Sequence, residues 1–217
     1  MLHSRILLPA AALAAVLAYA SPSPAQTIVD EWASVKAPPA PALKEVTPDP
    51  KTTALLVMDL VKQACNAENR PRCIASLPKI AKLIAAARDK GMMIVYTTFG
   101  TAPITDTLAE VAPKGTEPVI TSFVDKFILG NKDTGLEKIL KDGGITTVIA
   151  VGTAAHGAVL YTSTAAALRG FNVIVPVDGM SGNGQNTYIE QYVAYNLTNA
   201  PVFSPKVTLT SIDMIKF

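Results

Sequence analysis

The sequence has few of the side chains that build metal centres. Its 217 residues include two histidines, two cysteines and one tryptophan. His3 lies in an N-terminal segment that we expect to be removed, which leaves His156 alone. A zinc ion in a protein is usually held by several histidine or cysteine ligands. We therefore predict no metal ion, and we expect no cofactor.

The sequence also lacks a large excess of either charge. It has 19 basic and 17 acidic residues, which gives a formal net charge of +2. Removing residues 1–25 would take away Arg5 and no acidic residue, so the net charge would fall by one. Proteins that bind nucleic acid concentrate basic residues to match the phosphates. We expect no nucleic-acid partner.

The N-terminus has an apolar run, but a short one. Residues 6–17 are almost all apolar, Arg5 precedes them, and small residues follow at Ala20 and Ala25. A transmembrane helix needs about 20 apolar residues, and a cleaved export signal has this pattern. We predict a signal peptide over residues 1–25, a periplasmic or secreted protein, and no membrane contact after cleavage.

The rest of the chain predicts an arm followed by one domain. Residues 26–52 are rich in proline and show little hydrophobic periodicity. Such a segment is typical of an extended arm that follows the domain or reaches a neighbouring chain. Residues 53–217 are long enough for a single domain with a sizeable core.

Both cysteines lie close together in the segment 65–73. In an oxidising compartment, a disulfide between Cys65 and Cys73 is favoured. A reactive thiol is the alternative, but it would need a neighbouring base that the sequence does not indicate. We predict a structural disulfide that restrains this loop.

After Lys51, apolar runs alternate with amphipathic segments. This alternation, with short connections, predicts a three-layer α/β/α fold with a parallel, roughly six-stranded sheet. The predicted strands are residues 53–58, 92–98, 118–121, 146–151, 172–177 and 207–209. The predicted helices begin at Ser76, Leu136, His156 and Tyr188.

In a parallel sheet, ligands bind at the carboxyl ends of the strands. Asp59, the segment from Phe99, the turn at Gly152 and Asp178 all follow predicted strands, so we expect them to converge. Burial at the end of an apolar strand should raise the pKa of Asp59 and suit it to proton transfer. The alternative is that Asp59 only caps a helix.

The segment 152–158 is a turn of small residues before a predicted helix. Its backbone N–H groups could bind an anion or a developing oxyanion. A tight turn that needs glycine only for its geometry is an equally good interpretation.

Four segments together resemble the isochorismatase-like hydrolase superfamily. They are residues 55–59, the Asp-Lys-Phe at 125–127 before the helix at 136–140, residues 151–161, and residues 170–178. The resemblance extends over about residues 50–210. It implies the Rossmann-like topology of that superfamily and, in many members, an Asp-Lys-Cys triad that hydrolyses amides or carbamoyl groups.

Mapped onto this chain, the triad differs from the family pattern in two places. Asp59 matches the aspartate, but Ala158 occupies the cysteine position and cannot act as a nucleophile. The family lysine falls near Thr121 and Ser122, so we predict that Lys126 takes its place from a shifted position.

True isochorismatases have a small residue in place of the cysteine and a histidine two positions earlier, as His156 stands here before Ala158. In that scheme Asp59 is the acid, Lys126 its electrostatic partner, and the N–H groups of Gly157 and Ala158 hold an anion. We predict catalytic roles for Asp59, Lys126 and His156, although a lone histidine at a helix start is more often structural. Substrate contacts are predicted for Gly157, Ala158, Thr153 and Phe99.

The sequence therefore predicts an exported hydrolase that acts on a small anionic molecule without a covalent cysteine intermediate. The alternative is a non-catalytic relative that binds a small molecule or a protein in the inherited cleft. Tyr188, Tyr192 and Tyr195 recur at helical spacing, which favours a packing face or subunit interface. We expect a homo-oligomer.

Overall fold

A parallel sheet lies at the centre of residues 38–217. The computed structural model describes residues 27–217, and the strands in this part of the chain are β1 (Thr53–Met58), β2 (Met93–Phe99), β3 (Val119–Ser122), β4 (Ile128–Leu129), β5 (Lys132–Asp133), β6 (Thr147–Thr153), β7 (Asn172–Pro176), β8 (Met180–Ser181) and β9 (Val207–Thr210). Strand order is β3-β2-β1-β6-β7-β9, with β8 also paired to β6. Strands β4 and β5 form a separate antiparallel pair.

Helices cover both faces of the sheet. They are α2 (Pro71–Asp89), α3 (Leu136–Asp142), α4 (Leu160–Leu168) and α5 (Tyr188–Asn199), while α1 (Ile28–Glu31) belongs to a separate unit that ends at Ala37. In β1, Leu56 packs in the core under α3, α4 and α5, and Leu55 packs in the core under α2. Both faces of β1 are buried, which explains its unbroken apolar sequence. The predicted three-layer fold is confirmed.

Several boundaries differ from the predicted ones. Helix α2 begins at Pro71, not at Ser76, because proline is well suited to a first helical position. Helix α4 begins at Leu160, not at His156, because residues 155–159 form a π-helical turn. Strand β8 and the β4–β5 pair were not predicted, since strands of two residues have no periodicity.

The signal peptide and the arm predicted for the N-terminal region stay predictions. The predicted signal peptide, residues 1–25, lies outside the described residues. Within the predicted arm, Lys44 N–H donates to Leu209 O at 2.9 Å, and Lys216 N–H donates to Val46 O at 2.9 Å. This part of the arm is therefore bound along the C-terminal segment. Within residues 27–217, no helix has both the length and the apolar content to cross a membrane.

The predicted disulfide is present. Cys65 and Cys73 are bonded, their Cα atoms lie 5.5 Å apart, and both residues are buried in the core beneath α2. The bond joins the loop after β1 to the first turn of α2. It therefore fixes the segment that leaves the carboxyl end of β1.

Gly152 is required by the close approach of β6 to β1. Its φ is 132°, and an added Cβ would lie 2.0 Å from Met58 O. We expect Gly152→Ala to lower the free energy of unfolding by about 3 kcal/mol, because strain and a backbone clash add together. Urea unfolding would measure this. Gly130→Ala is the control. Its φ of 64° is also left-handed, but no atom lies within 4 Å of an added Cβ, so we expect the free energy of unfolding to fall by about 1 kcal/mol. Equal losses of stability in the two variants would contradict the proposed clash at Gly152.

Candidate active site

A buried ion pair lies at the carboxyl end of the sheet. Lys126 Nζ is 2.7 Å from Asp59 Oδ2, and the two residues are 0% and 4% exposed. Asp59 Oδ1 accepts a hydrogen bond of 2.7 Å from Thr97 Oγ1. The structure thus brings together the two residues for which the sequence predicted an acid and its electrostatic partner.

The backbone turns sharply at Asp59 to place its carboxylate there. Its φ is 55°, a left-handed conformation that aspartate tolerates better than most residues. Its N–H donates to Thr97 O at 3.1 Å, which holds the turn against β2. Asp59 follows β1 directly, so its side chain is fixed by the central strand of the sheet.

Lys126 reaches the carboxylate from the loop between β3 and β4. Its Nζ also donates to Phe123 O at 2.7 Å, and its backbone N–H donates to Thr162 Oγ1 at 3.1 Å. Its carbonyl accepts from Thr134 Oγ1 at 2.7 Å. The ammonium therefore has protein partners in a buried site. The loop that carries it is bound to α4 and to the segment before α3.

Burial acts in opposite directions on the two groups. It raises the pKa of Asp59 above its ordinary value, although the Lys126 charge, a hydrogen bond from Lys126 and one from Thr97 oppose the shift. Burial lowers the pKa of Lys126, against the charge of Asp59. Each shift favours the neutral form. The ion pair and its tautomer, with the proton moved from Nζ to Oδ2, are therefore closer in free energy than they would be in water.

A small cleft opens beside this pair. Its volume is about 180 Å³, and its lining residues are Asp59, Ala64, Arg70, Phe99, Phe123, Val124, Thr153, Ala154, Gly157 and Ala158. Most of these side chains are apolar. The volume is below the roughly 300–1,000 Å³ of drug-sized ligand sites, so the cleft suits a small molecule.

The turn after β6 forms one wall of the cleft. Thr153, Gly157 and Ala158 line it, as does Phe99 from the end of β2, so all four predicted substrate contacts face this space. Thr153 Oγ1 donates to Ser181 O at 3.1 Å, and the Thr153–Ala154 peptide is cis. Ala158 is 2% exposed and presents a methyl group at the position that the family resemblance assigns to cysteine.

Two N–H groups of this turn donate to Ala154 O: that of Gly157 at 3.0 Å and that of Val159, which closes the π-helical turn, at 3.3 Å. The N–H of Gly157 thus already has a protein partner. The anion-binding roles predicted for the N–H groups of Gly157 and Ala158 stay predictions.

His156 and Asp178 do not join the cleft. Neither is among the lining residues. His156 Nδ1 is enclosed by protein and has no hydrogen-bond partner within residues 27–217. Asp178 accepts from Lys79 Nζ and from Ile212 N–H, both at 2.8 Å. The expected convergence of Asp178 is therefore wrong, because its carboxylate is bound by α2 and the C-terminal segment.

Arg70 lines the cleft and was not predicted. Its Nε donates to Asn183 Oδ1 at 2.7 Å and its Nη1 donates to Ala64 O at 2.5 Å. It lies between the two cysteines, and its charge is a minor factor that opposes the rise in the pKa of Asp59 caused by burial. The sequence offers one signal for it: a basic residue in the predicted disulfide loop, close after the strand that ends at Asp59.

Within residues 27–217, no group of three or more His, Cys, Asp or Glu side chains could hold a metal ion. The ionisable groups at the cleft are the carboxyl of Asp59, the amine of Lys126 that contacts it, and the guanidinium of Arg70.

Residues 53–204 match the sequence profile of the isochorismatase domain. The chain belongs to the isochorismatase family. Solved structures share its fold: an isochorismatase from Pseudomonas putida is 18% identical with a TM-score of 0.67, covering 79% of this chain and 93% of that one. No curated protein matches the chain significantly.

Two other family structures are similar in fold. A cysteine hydrolase from Pseudomonas syringae is 19% identical with a TM-score of 0.66, covering 80% of this chain and 94% of that one. An N-carbamoylsarcosine amidase from Thermoplasma acidophilum is 21% identical with a TM-score of 0.61, covering 75% and 97%. These similarities establish the α/β architecture of the family.

Replacing Lys126 by an uncharged residue should make the free energy of unfolding depend on the titration of Asp59. In Lys126→Met the pKa of Asp59, which burial already raises, should rise further because its cation is gone. Stability should then be greatest below the unfolded value and fall as pH rises through the raised pKa. At neutral pH we expect a loss of about 3–5 kcal/mol, measured by urea unfolding between about pH 4 and pH 8.

The double variant Asp59→Asn/Lys126→Met is the control, since it leaves no titrating group in the pair. Its stability should lack this pH dependence. A Lys126→Met variant whose pH profile matches that of the unmodified protein would contradict the interpretation.

Proposed function

We propose that this protein hydrolyses a small anionic molecule by acid–base catalysis, with Asp59 as the proton donor and without a covalent cysteine intermediate. The observation that supports this most is the buried contact of 2.7 Å between Lys126 Nζ and Asp59 Oδ2 at the edge of the cleft. A lysine without a role in the site would normally lie at the surface with its ammonium in water, whereas Lys126 is fully buried.

In the proposed reaction, Asp59 protonates the substrate at the amide or ether to be cleaved. A water molecule adds to the electrophilic carbon, a bond from that carbon to nitrogen or oxygen breaks, and the proton lost by water returns to the pair. Substrate and water thus become two products, and the enzyme is unchanged. Lys126 supplies the carboxyl with its proton, because the two groups are in direct contact.

Ala158 explains why water is the proposed nucleophile. A methyl group stands at the position that the family resemblance assigns to the thiol, and both cysteines of the sequence are in the disulfide. Serine and threonine need an adjacent base to be activated. Among the residues that line the cleft, Thr153 carries the hydroxyl group. That hydroxyl donates a hydrogen bond to Ser181 O.

The disulfide also supports the proposal that the protein is exported to the periplasm or secreted. Disulfides persist in oxidising compartments and are rare in reducing ones. The bond is buried, and its loop borders the cleft. We further propose a homo-oligomer with Tyr188, Tyr192 and Tyr195 at the interface, since these side chains are 56%, 41% and 48% exposed.

Turnover of a substrate panel tests the proposed reaction. The mature protein is assayed with small carboxylate-bearing amides, carbamates, esters and enol ethers. Asp59→Asn should reduce kcat by about 100-fold or more, since loss of a general acid costs that much. The matched control is Asp142→Asn, which removes a carboxylate that pairs with Lys138 on the surface of α3. Its activity should be unchanged.

Absence of turnover across the panel would overturn the catalytic proposal. If ligands from the panel still raised the melting temperature, the alternative function would be favoured, that of a family member that only binds its ligand. Activity retained by Asp59→Asn would show that another group is the acid.

A further inference from the structure

The cleft contains a guanidinium that the proposed mechanism does not use. Arg70 is half-buried, and its Nε and Nη1 donate to Asn183 Oδ1 and Ala64 O. Its Nη2 donates to no group within residues 27–217. A guanidinium has five N–H donors in a rigid fork, so Arg70 keeps donors for a ligand while its orientation is fixed by protein.

The charges of the site leave one positive charge without a partner. Asp59 and Lys126 neutralise each other at 2.7 Å, whereas Asn183 and the carbonyl of Ala64 are neutral acceptors. Arg70 therefore makes the cleft cationic by one charge. One anionic group on the ligand would neutralise this charge. The attraction between the two charges is stronger in a partly buried cleft than in water.

The loop that carries Arg70 is fixed at several points. The Cys65–Cys73 bond encloses it, and Arg70 N–H donates to Asn66 O at 2.9 Å. Gly184 N–H donates to Asn69 O at 2.7 Å, so the loop is also bound to the segment that carries Asn183. The position of the guanidinium relative to Asp59 is thus set by a covalent ring and by a second loop.

We propose that Arg70 binds a carboxylate of the substrate, and that the Cys65–Cys73 disulfide and Asn183 position its guanidinium. This inference rests on the proposed function and specifies its substrate class: a small monocarboxylate whose remaining atoms contact the apolar wall of Phe99, Phe123 and Val124. A planar carboxylate matches the arginine fork in a bidentate contact. A cleft of about 180 Å³ limits the size of the acid.

Binding measured without turnover tests this assignment. Isothermal titration or ligand-observed NMR would compare benzoate with benzamide, and pyruvate with pyruvamide. The unmodified protein should bind each acid more tightly than its amide. Arg70→Gln should weaken binding of the acids about 10- to 100-fold, the range for a lost charge-assisted hydrogen bond, and leave the amides unchanged.

Arg72→Gln is the matched control. It removes the same charge two residues away, where Arg72 pairs with Glu190 outside the cleft. Its affinity for the acids should equal that of the unmodified protein, with melting temperatures confirming that both variants are folded. Equal affinity in Arg70→Gln and the unmodified protein, or no preference for acids in the unmodified protein, would overturn the assignment.

The positioning role needs a separate variant. Cys65→Ala/Cys73→Ala should weaken binding of the acids by about tenfold, because the freed loop must be ordered on binding. It should leave the amides unchanged and cause no further loss in an Arg70→Gln background. Additive losses in that background, or unchanged binding of the acids, would overturn this role.

These assays are independent of the proposed reaction. A protein that binds carboxylates through Arg70 but hydrolyses nothing would contradict the hydrolase proposal alone. Turnover of carboxylate-bearing substrates that is as efficient in Arg70→Gln as in the unmodified protein would contradict only the role of Arg70.

Discussion

The site depends on the burial of the Asp59–Lys126 ion pair. A lone charge in this position would cost about 3–5 kcal/mol, so each group requires the other and additional hydrogen bonds. Thr97 supplies one to the carboxylate, and Phe123 O accepts one from the ammonium. The pair thereby holds the loop from β3 against the end of β1. That same loop provides Phe123 and Val124, the apolar edge of the cleft.

The pair also relates the fold to the chemistry. In water, a lysine beside an aspartate would simply keep its proton. Here burial shifts the pKa of Asp59 upward and that of Lys126 downward, which reduces the cost of moving the proton from Nζ to Oδ2. A carboxyl that can be protonated in this way can act as an acid without a thiol. An alanine at the position that the family resemblance assigns to cysteine is therefore compatible with the proposed reaction.

The sequence predicted what depends on one strand or one short segment. Asp59 could be placed because five apolar residues of β1 precede it, and Lys126 because it was the nearby cation in a loop that lacked the family lysine. Residues whose position depends on distant partners were missed or misplaced. Arg70 is oriented by Asn183, and Asp178 is withdrawn from the cleft by Lys79 and Ile212. No local pattern encodes such pairings.

Three segments that are far apart in sequence define the cleft: the disulfide loop, the loop from β3, and the turn after β6. Their charges are not independent, because Arg70 and Lys126 both act on the carboxylate of Asp59. Removing either cation changes the proton affinity of Asp59 and also removes the contacts that the cation itself makes. The ammonium of Lys126, a point charge against Asp59, suits the proposed proton transfer, whereas the fork of Arg70 suits a planar anion. The two cations are therefore not interchangeable, and a change at one alters the conditions under which the other acts.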